Sequence, residues 1–299
     1  MKPSGPAAGR RDRERARALR QPRAVLARVQ PPRPRVVRQD PDGIRRYCHL
    51  ATGNYNVRTS GIYSDIGLLT CDESFGEDLT ELFNLLTGYT RPRTFRHLLI
   101  APTQLREGLI TRIRREADHA RAGRPARLIA KLNAVVDPGL IEALYAASQA
   151  GVQIDLIVRG ICCLRPGVPG LSERIRVVSI IDRYLEHARA FYLENGGAPE
   201  YWLASGDWMP RNLDQRVEVA FPLLDPRLQR ELRDILEVQL TDTVKAWRIL
   251  ADGASIRVAP DGVAPVRSQE RLHELTGQAA LRVARDVEAM VRTGGFTKT

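Results

Sequence analysis

Several polar side chains between Val152 and Asn212 stand where the sequence predicts that strands end, and together they could bind and transfer phosphate groups. Arginine guanidinium groups match phosphate oxygens two at a time, and an imidazole can attack phosphorus or donate a proton. We therefore predict a phosphate site in which His187 and Arg189 are the catalytic residues. Its other candidate contacts in this region are Arg159, Ser205, Asp207, Arg211 and Asn212.

The His187-Ala-Arg189 motif has an alternative interpretation as ordinary surface sequence. His119-Ala-Arg121 has the same form in a segment whose periodicity predicts an exposed helix. The motif alone therefore does not decide between a catalytic and a surface role.

The turn at Ser205 has a counterpart earlier in the chain. Residues 49–58 and 202–211 align without a gap, and each copy contains Leu-Ala, a hydroxyl residue, Gly, an Asx residue and an aromatic residue, with Arg three positions further on. Such a repeat predicts a duplicated pair of half-domains with both turns at one central site. Glycine lets backbone N–H groups approach an anion, so Thr52, Gly53 and Asn54 are predicted to bind phosphate as well.

The elements that must position these residues alternate between strand and helix. Strand 97–101 precedes helix 103–122, strand 126–132 precedes helix 138–150, and strand 152–159 ends at Arg159. This alternation predicts an α/β fold with a largely parallel sheet and helices on its faces. Further strands are predicted at 61–70, 175–180, 190–194, 201–204 and 216–221, and further helices at 75–86, 226–240 and 275–290.

The charge of the chain is concentrated at its start. Residues 1–46 hold 14 Lys or Arg and four Asp or Glu, so that +10 of the net charge of +11 lies in this segment. The remainder is nearly neutral, which argues against a nucleic-acid groove on the folded part. The basic segment is interpreted as disordered, with an arm for polyphosphate, nucleic acid or anionic lipid as the alternative.

Composition and spacing also bear on metal ions, membranes and compartment. His97, His119 and His273 are scattered without metal-ligand spacing, so no metal held by protein ligands alone is predicted. Asp65 and Asp72 are interpreted as solvated loop residues, with Mg²⁺ binding as the alternative. No apolar run approaches the roughly 18 residues of a membrane span. Four cysteines without Cys-x-x-Cys spacing indicate reduced thiols in a cytoplasmic protein, with a peripheral membrane location as a further option.

Four motifs in order resemble the C-terminal half of the long, phospholipase D-like polyphosphate kinases. They are Tyr47-Cys-His-Leu-Ala-Thr-Gly-Asn-Tyr-Asn, Leu156-Ile-Val-Arg-Gly-Ile-Cys-Cys-Leu-Arg-Pro-Gly, Arg183-Tyr-Leu-Glu-His-Ala-Arg and Ser205-Gly-Asp-Trp-Met-Pro-Arg-Asn-Leu-Asp. The resemblance implies reversible transfer of the terminal phosphate of ATP to inorganic polyphosphate through a phosphohistidine, with Mg²⁺. It also implies that Tyr63, Arg159 and His187 contact ATP, and that ATP or ADP and polyphosphate are the partners.

The resemblance implies two phospholipase D-like halves, each a mixed, largely parallel sheet flanked by helices, with the first half incomplete. The predicted domains are a disordered basic tail at 1–42, a partial first half at 43–92, a second half at 93–260 and a C-terminal helical tail at 261–299. A first domain without its leading strand should associate, so a homo-oligomer is expected.

One family feature is absent from the sequence. The resemblance places the phosphorylated histidine in a His-x-Lys segment upstream of Thr52, near Pro34 by the internal repeat or near Gln30 by the family spacing, and neither position is His. The family's N-terminal and head domains, with their Mg²⁺-contacting arginines, are also expected to be missing. We therefore expect impaired transfer. The alternatives are an inactive ATP- or polyphosphate-binding remnant and a phospholipase D-like phosphodiesterase.

Overall fold

The first half of the protein is a small antiparallel sheet with a helix packed against it. The computed structural model describes residues 35–40, 43–53, 56–88, 94–260, 262 and 264–292. Strand β1 (Arg35–Asp40) forms a hairpin with β2 (Gly43–Ala51), and the short strand β3 (Tyr63–Ser64) precedes β4 (Gly67–Thr70), which pairs with the other edge of β2. The predicted single strand at 61–70 is thus two short strands.

Strand β1 corrects the predicted extent of the basic tail. The prediction of disorder at 1–42 is wrong for Arg35–Asp40, whereas residues 1–34 and 41–42 lie outside the described part of the chain. The proline run that forbids a helix or a central strand ends at Pro34, and the next residues find a partner in β2. The hydroxyl of Tyr47 donates to Asp40 at 2.7 Å, which ties the two strands together at their side chains.

Helix α1 (Glu73–Leu86) joins the first half to the rest of the protein. Asp72 caps its N-terminus by accepting from the backbone N–H of Ser74 and Phe75, so Asp72 has a local structural role. Leu79 and Leu82 are fully buried, and burial of each leucine contributes about 1.5 to 3 kcal/mol. Asp78 accepts from three successive backbone N–H groups at residues 96–98, which fixes the start of the second half against α1.

The second half is built on a nine-stranded sheet. In spatial order its described strands are β14 (Ser255–Arg257), β13 (Ala246–Ile249), β8 (Ile175–Ile180), β7 (Gln153–Val158), β6 (Arg127–Leu132), β10 (Arg189–Leu193), β11 (Glu200–Ala204), β12 (Val219–Pro222) and β5 (Leu99–Ile100). Strand β9 (Leu185–Glu186) pairs outside this sheet, in parallel with β3 of the first half.

The described helices of the second half are α2 (Leu105–Arg121), α3 (Pro138–Gln149), the short α4 (Pro210–Asp214), α5 (Pro226–Leu240) and α6 (Ser268–Arg292). Helices α2, α3 and α5 agree closely with the sequence prediction, whereas α4 was not predicted and α6 begins seven residues before its predicted start at 275. Asp137 and Asp225 cap the starts of α3 and α5, and a proline follows each cap. Within the described residues, no helix combines the length and the apolar character needed to cross a bilayer.

The mixed α/β class is confirmed, but antiparallel pairs outnumber parallel pairs. Within the described sheet, parallel pairing is confined to β6 with β7 and β7 with β8. The strand–helix alternation on which the largely parallel prediction depended stops at β8, and later strands such as β10 and β11 follow each other through short connections that reverse direction.

The two faces of the large sheet carry separate apolar clusters. One face packs against α2 and α3, and its buried residues include Leu128, Leu156, Phe191, Trp202, Ile113 and Leu144. The other face packs against α5 and against the first half, and its buried residues include Ile129, Ile157, Tyr192, Leu203, Leu236, Leu50 and Phe75. The first half therefore shares a core with the second.

Candidate active site

The two halves meet at a short parallel strand pair that brings Tyr63 and His187 together. Strands β3 and β9 pair Tyr63 with Leu185 and Ser64 with Glu186, and the backbone N–H of His187 donates to the carbonyl of Ser64 at 3.2 Å. The rings of Tyr63 and His187 lie with their centroids 4.7 Å apart at an interplanar angle of 43°. Two residues predicted from separate parts of the sequence thus form one site.

The imidazole of His187 lies between an acid of the first half and an arginine of the second. Its Nδ1 is 2.9 Å from Oδ1 of Asp65, and its Nε2 is 3.0 Å from Nη1 of Arg189. Nη1 of Arg189 also lies 3.2 Å from Nδ1, so this guanidinium nitrogen approaches both ring nitrogens. Because an ionised carboxylate can only accept, the contact with Asp65 indicates a proton on Nδ1.

Asp65 is therefore not a residue of a solvated loop. Burial raises the pKa of this carboxyl, but the hydrogen bond and charge of His187 and the hydrogen bond from Thr52 outweigh burial, and the net pKa lies below its usual value. Asp65 is consequently an ionised partner that fixes the orientation of the imidazole.

Arg189 is held in place by Asp207. Its Nε and Nη2 donate to the two carboxylate oxygens at 3.1 and 2.8 Å, and both side chains are buried. Burial raises the pKa of Asp207, but the hydrogen bonds and charge of Arg189 outweigh burial and the net pKa is lowered. With this edge of the guanidinium fixed, Nη1 is directed at His187 and at the carbonyl of Thr52, 3.3 Å away.

The network continues to Arg159 through a residue that the sequence prediction missed. Asp207 Oδ1 also accepts from the backbone N–H of Asn133 at 2.8 Å, and the side-chain oxygen of Asn133 accepts from Nε of Arg159 at 2.7 Å. Asn133 and Arg159 directly follow the neighbouring parallel strands β6 and β7. A polar residue at the carboxyl end of a buried strand was the available signal for Asn133.

The two predicted phosphate turns have matching hydrogen bonds. Thr52 Oγ1 donates to Asp65 at 2.8 Å and accepts from the backbone N–H of Ile66 at 3.0 Å. Ser205 Oγ donates to Glu218 at 2.6 Å and accepts from the backbone N–H of Val219 at 3.1 Å. The acid follows the hydroxyl residue by 13 positions in both halves, so the internal repeat extends to three-dimensional structure. That spacing was the signal by which Glu218 could have been found.

These contacts give the turns a structural role in the described state, and phosphate binding by them stays a prediction. Asn212 is buried and donates to Glu218 at 2.7 Å, whereas Arg211 is exposed on α4. Asn54 lies outside the described residues. The site thus connects Thr52, Tyr63, Arg159, His187, Arg189 and Asp207, while Ser205 and Asn212 contact Glu218 instead.

The arrangement can bind and polarise phosphate. Arg189 and His187 present adjacent nitrogen atoms that could contact oxygens of one phosphoryl group, and three hydrogen bonds connect Arg189 to Arg159 through Asp207 and Asn133. In the part of the chain that the structure describes, no cluster of three His, Cys, Asp or Glu side chains could hold a metal ion. Mg²⁺ usually enters such sites on the phosphates of the nucleotide.

Family models match most of the described chain. The model described as polyphosphate kinase C-terminal domain 1 matches residues 29–92, and the model described as polyphosphate kinase C-terminal domain 2 matches residues 98–269.

Individual relatives agree with these matches. Polyphosphate kinase of Thermosynechococcus vestitus is 54% identical over 240 residues, which cover 80% of this chain and 32% of the relative. Polyphosphate kinase 1 of Chlorobaculum tepidum is 55% identical over 237 residues, which cover 79% of this chain and 34% of the relative. The crystal structure of polyphosphate kinase from Porphyromonas gingivalis superimposes with a TM-score of 0.75 at 42% identity, covering 79% of this chain and 36% of that one.

This chain spans about a third of the length of these curated relatives. The matches nevertheless cover both halves of the fold and all the residues of the network around His187. The chain therefore belongs to the polyphosphate kinase family.

Proposed function

We propose that this chain is the nucleotide-phosphate-binding part of a polyphosphate kinase, whose reaction transfers the terminal phosphate of ATP reversibly to inorganic polyphosphate. The observation that carries the proposal is the placement of His187 between Asp65 and Arg189, beside Tyr63, at the contact of the two halves. Tyr63, Arg159 and His187 contact the nucleotide, and His187 and Arg189 contact the phosphoryl group that is transferred.

The fixed geometry of Arg189 suits this role. Asp207 holds one edge of the guanidinium by two hydrogen bonds, so the arginine need not be ordered when substrate arrives. Preorganised charge of this kind stabilises the negative charge that spreads over the phosphoryl oxygens during transfer. If His187 takes up a proton at Nε2, it can donate to the same oxygens while Asp65 compensates its charge.

Mg²⁺ belongs to this proposal as the partner of ATP. Asp65 and Asp207, the carboxylates nearest to His187 and Arg189, are each engaged by a cationic or imidazole group, and Mg²⁺ is commonly held by substrate phosphates with few protein ligands. When bound, Mg²⁺ would neutralise phosphate charge. This chain would contribute the arginines and the histidine.

The phosphate acceptor is the component that this sequence lacks. The family spacing places the phosphorylated histidine near residue 30, and the internal repeat places it near residue 34. The sequence has Gln30 and Pro34 at these positions, which lie outside the described residues. Deletion of a covalent nucleophile costs orders of magnitude in rate, so we propose that the chain binds ATP but transfers phosphate poorly.

Two measurements test these proposals. Calorimetry with ATP and Mg²⁺ should show binding, and the absence of heat at millimolar ATP would contradict the nucleotide site. Incubation with γ-labelled ATP, followed by detection of alkali-stable, acid-labile phosphohistidine, should give no labelled protein. Label on His187 would contradict the proposed lack of an acceptor and would assign that role to His187.

The chain would act in the cytoplasm and as a homo-oligomer. In the second half, β6 covers the edge of β10, whereas no described strand covers the corresponding edge of β1. Val36 and Val37 on β1 are about half exposed, and an uncovered strand edge favours association with another chain. Light scattering that shows a monodisperse monomer at micromolar concentration would contradict the oligomer.

A further inference from the structure

Glu186, the residue before His187, is held by donors from four different elements. Its carboxylate accepts from Gln239 of α5 and Gln269 of α6 at 2.7 Å each and from Ser64 of β3 at 3.3 Å, and Nζ of Lys131 in β6 lies 3.0 Å away. Burial raises the pKa of Glu186, but the charge of Lys131 and the donated hydrogen bonds outweigh burial and lower the net pKa. The carboxylate is therefore ionised and central to the contact of the two halves.

Gln269 extends this contact to the backbone of the strand. Its side-chain oxygen accepts from the N–H of Tyr184 at 2.9 Å, and its side-chain nitrogen donates to the carbonyl of Tyr184 at 2.8 Å. The first turn of α6 is anchored in turn, because Asp242 accepts from the N–H and hydroxyl of Ser268. The prediction of a helical C-terminal tail at 261–299 agrees with α6 in secondary structure, and Ser268 and Gln269 of its first turn are buried.

Apolar packing alone does not hold strand β9. The strand has two residues, and a cavity of about 250 Å³ lies beside it, lined by Asp65, Lys131, Glu186, Gln239 and Gln269 among others. A strand beside a cavity has few neighbouring atoms to resist displacement, so its position depends on hydrogen bonds. Gln239 Oε1 is buried and has no hydrogen-bond donor among the described residues, which distinguishes this polar cluster from a packed apolar core.

We infer that Glu186 and Gln269 are positioning residues for His187. They fix β9 against β3, so that the imidazole stays between Asp65 and Arg189 and beside the ring of Tyr63. The importance of this positioning for catalysis rests on the proposed function. The position of the His187 ring can nevertheless be tested without measuring activity. The C-terminal helix α6 thereby acts on the nucleotide site without touching it.

The buried ion pair between Lys131 and Glu186 supports a positioning role for this cluster. Replacing a buried ion pair by apolar residues is often neutral or stabilising, so such a pair is weak evidence of a stability role. The four directional donors around Glu186 instead permit few alternative alignments of β3 with β9. Glu186 directly precedes His187, so a shift of an ångström would separate the imidazole from Asp65.

The test compares Gln269→Met and Glu186→Gln with matched variants remote from the site. Gln269→Met keeps side-chain length and helix propensity but removes the three hydrogen bonds of Gln269. Gln149→Met removes a glutamine bond to the carbonyl of Gly170 from another helix. Glu200→Gln removes ion pairs with Arg112 and Arg115 at the far end of β11.

The readout is the ¹⁵N chemical shift of the His187 ring in histidine-labelled protein, which depends on the tautomer. The chain has five histidines, and the His187 signal is assigned by its loss in His187→Gln.

In wild type, His187 should show one tautomer, with the proton on Nδ1. Gln269→Met and Glu186→Gln should give averaged ¹⁵N shifts and weaken ATP binding about fivefold or more, as expected for lost hydrogen bonds to a charged group. Both control variants should retain the wild-type shifts. Unchanged His187 shifts in folded Gln269→Met would overturn the inference, even if its melting temperature fell, because the residue would then be only structural.

The outcomes separate this inference from the proposed function. If wild type does not bind ATP but Gln269→Met still changes the His187 shifts, positioning stands and the nucleotide site does not. If Glu186→Gln fails to fold, Gln269→Met alone decides, and Gln269→Ala provides a second variant with the same hydrogen bonds removed.

Discussion

Nδ1 of His187 lies 2.9 Å from a carboxylate oxygen of Asp65, and the two residues come from different halves of the protein. The same carboxylate accepts from Thr52, so it orients the turn of its own half and the imidazole of the other. Glu218, its counterpart in the repeat, contacts Ser205 and Asn212 within the second half. The internal repeat thus places one acid beside each turn, while the contact to His187 crosses between the halves.

Stability should fall at acidic pH because Asp65 and Asp207 have lowered pKa values in the folded protein. A carboxyl with a depressed folded pKa contributes stability above its unfolded pKa, near 3.9 for Asp, and loses it as pH falls through the folded pKa. Asp65→Asn should therefore unfold more easily than wild type at pH 7, by about 1 to 3 kcal/mol, and the difference should shrink below about pH 4. Urea unfolding at several pH values measures both quantities; a constant difference would contradict the linkage.

Arg189→Lys should be strongly destabilising although it keeps the charge. An ammonium group cannot reproduce the two parallel hydrogen bonds to Asp207 or reach His187 at the same time. Breaking one partner of a buried pair costs about 3 to 5 kcal/mol when the other charge is left unpaired, and a lysine that still contacts Asp207 should cost somewhat less. Chemical denaturation is the measurement, and Arg227→Lys, in an exposed pair with Asp225, is the control that should leave the unfolding free energy nearly unchanged.

Arg159→Ala should weaken ATP binding at least tenfold, because one charge-assisted contact to phosphate contributes about 1.5 to 3 kcal/mol. Calorimetry in the presence of Mg²⁺ measures the change. Arg176→Ala is the matched control, since Arg176 on β8 forms an ion pair with Asp155 on β7, the strand that Arg159 follows, but away from Asn133. Equal loss of affinity in both variants would indicate a general charge effect and contradict a specific contact at Arg159.

Gly53→Ala should disrupt the site although glycine and alanine differ by one methyl group. A Cβ atom at position 53 would lie 1.9 Å from Oδ2 of Asp65, so the carboxylate would have to leave its position against His187. Gly61→Ala is the control, because a Cβ there meets no atom within 4 Å. We expect a loss of about 2 kcal/mol or more in unfolding free energy for Gly53→Ala and less than about 0.5 kcal/mol for Gly61→Ala. Comparable effects of the two substitutions would contradict this role of Gly53.

The sequence predicted the elements whose signals are local. Helix α5 begins and ends where the prediction placed it, because Asp225-Pro226 is a strong start signal and the apolar period is regular. No strand was predicted at 246–257, yet these residues contain the β13–β14 pair at the edge of the sheet. Both faces of these short strands are largely exposed, so they lack the alternation that periodicity detects.

The sequence predicted most side chains of the candidate site but not the contacts between them. The side-chain types of His187, Arg189 and Arg159 suggested phosphate chemistry, and the repeat indicated that two turns share a site. Asp65 was misinterpreted as a solvated loop residue, because its partner His187 lies 122 positions away and no local pattern reveals a contact at that separation. The roles of Glu186 and Gln269 depend on the same long-range pairing of β3 with β9.

The pairing of β3 with β9 also sets an order of events during synthesis. The first half leaves the ribosome with Tyr63 and Asp65 long before Glu186 and His187 follow, and at about 5 to 20 residues per second the interval is roughly 6 to 25 s. Closing the long chain segment between β3 and β9 is entropically unfavourable until the second half has folded and can form contacts with the first. During that interval the first half lacks the second-half residues, such as Leu203 and Leu236, with which Leu79 and Leu82 share an apolar cluster. A nascent chain therefore presents an incompletely covered apolar cluster to chaperones for several seconds.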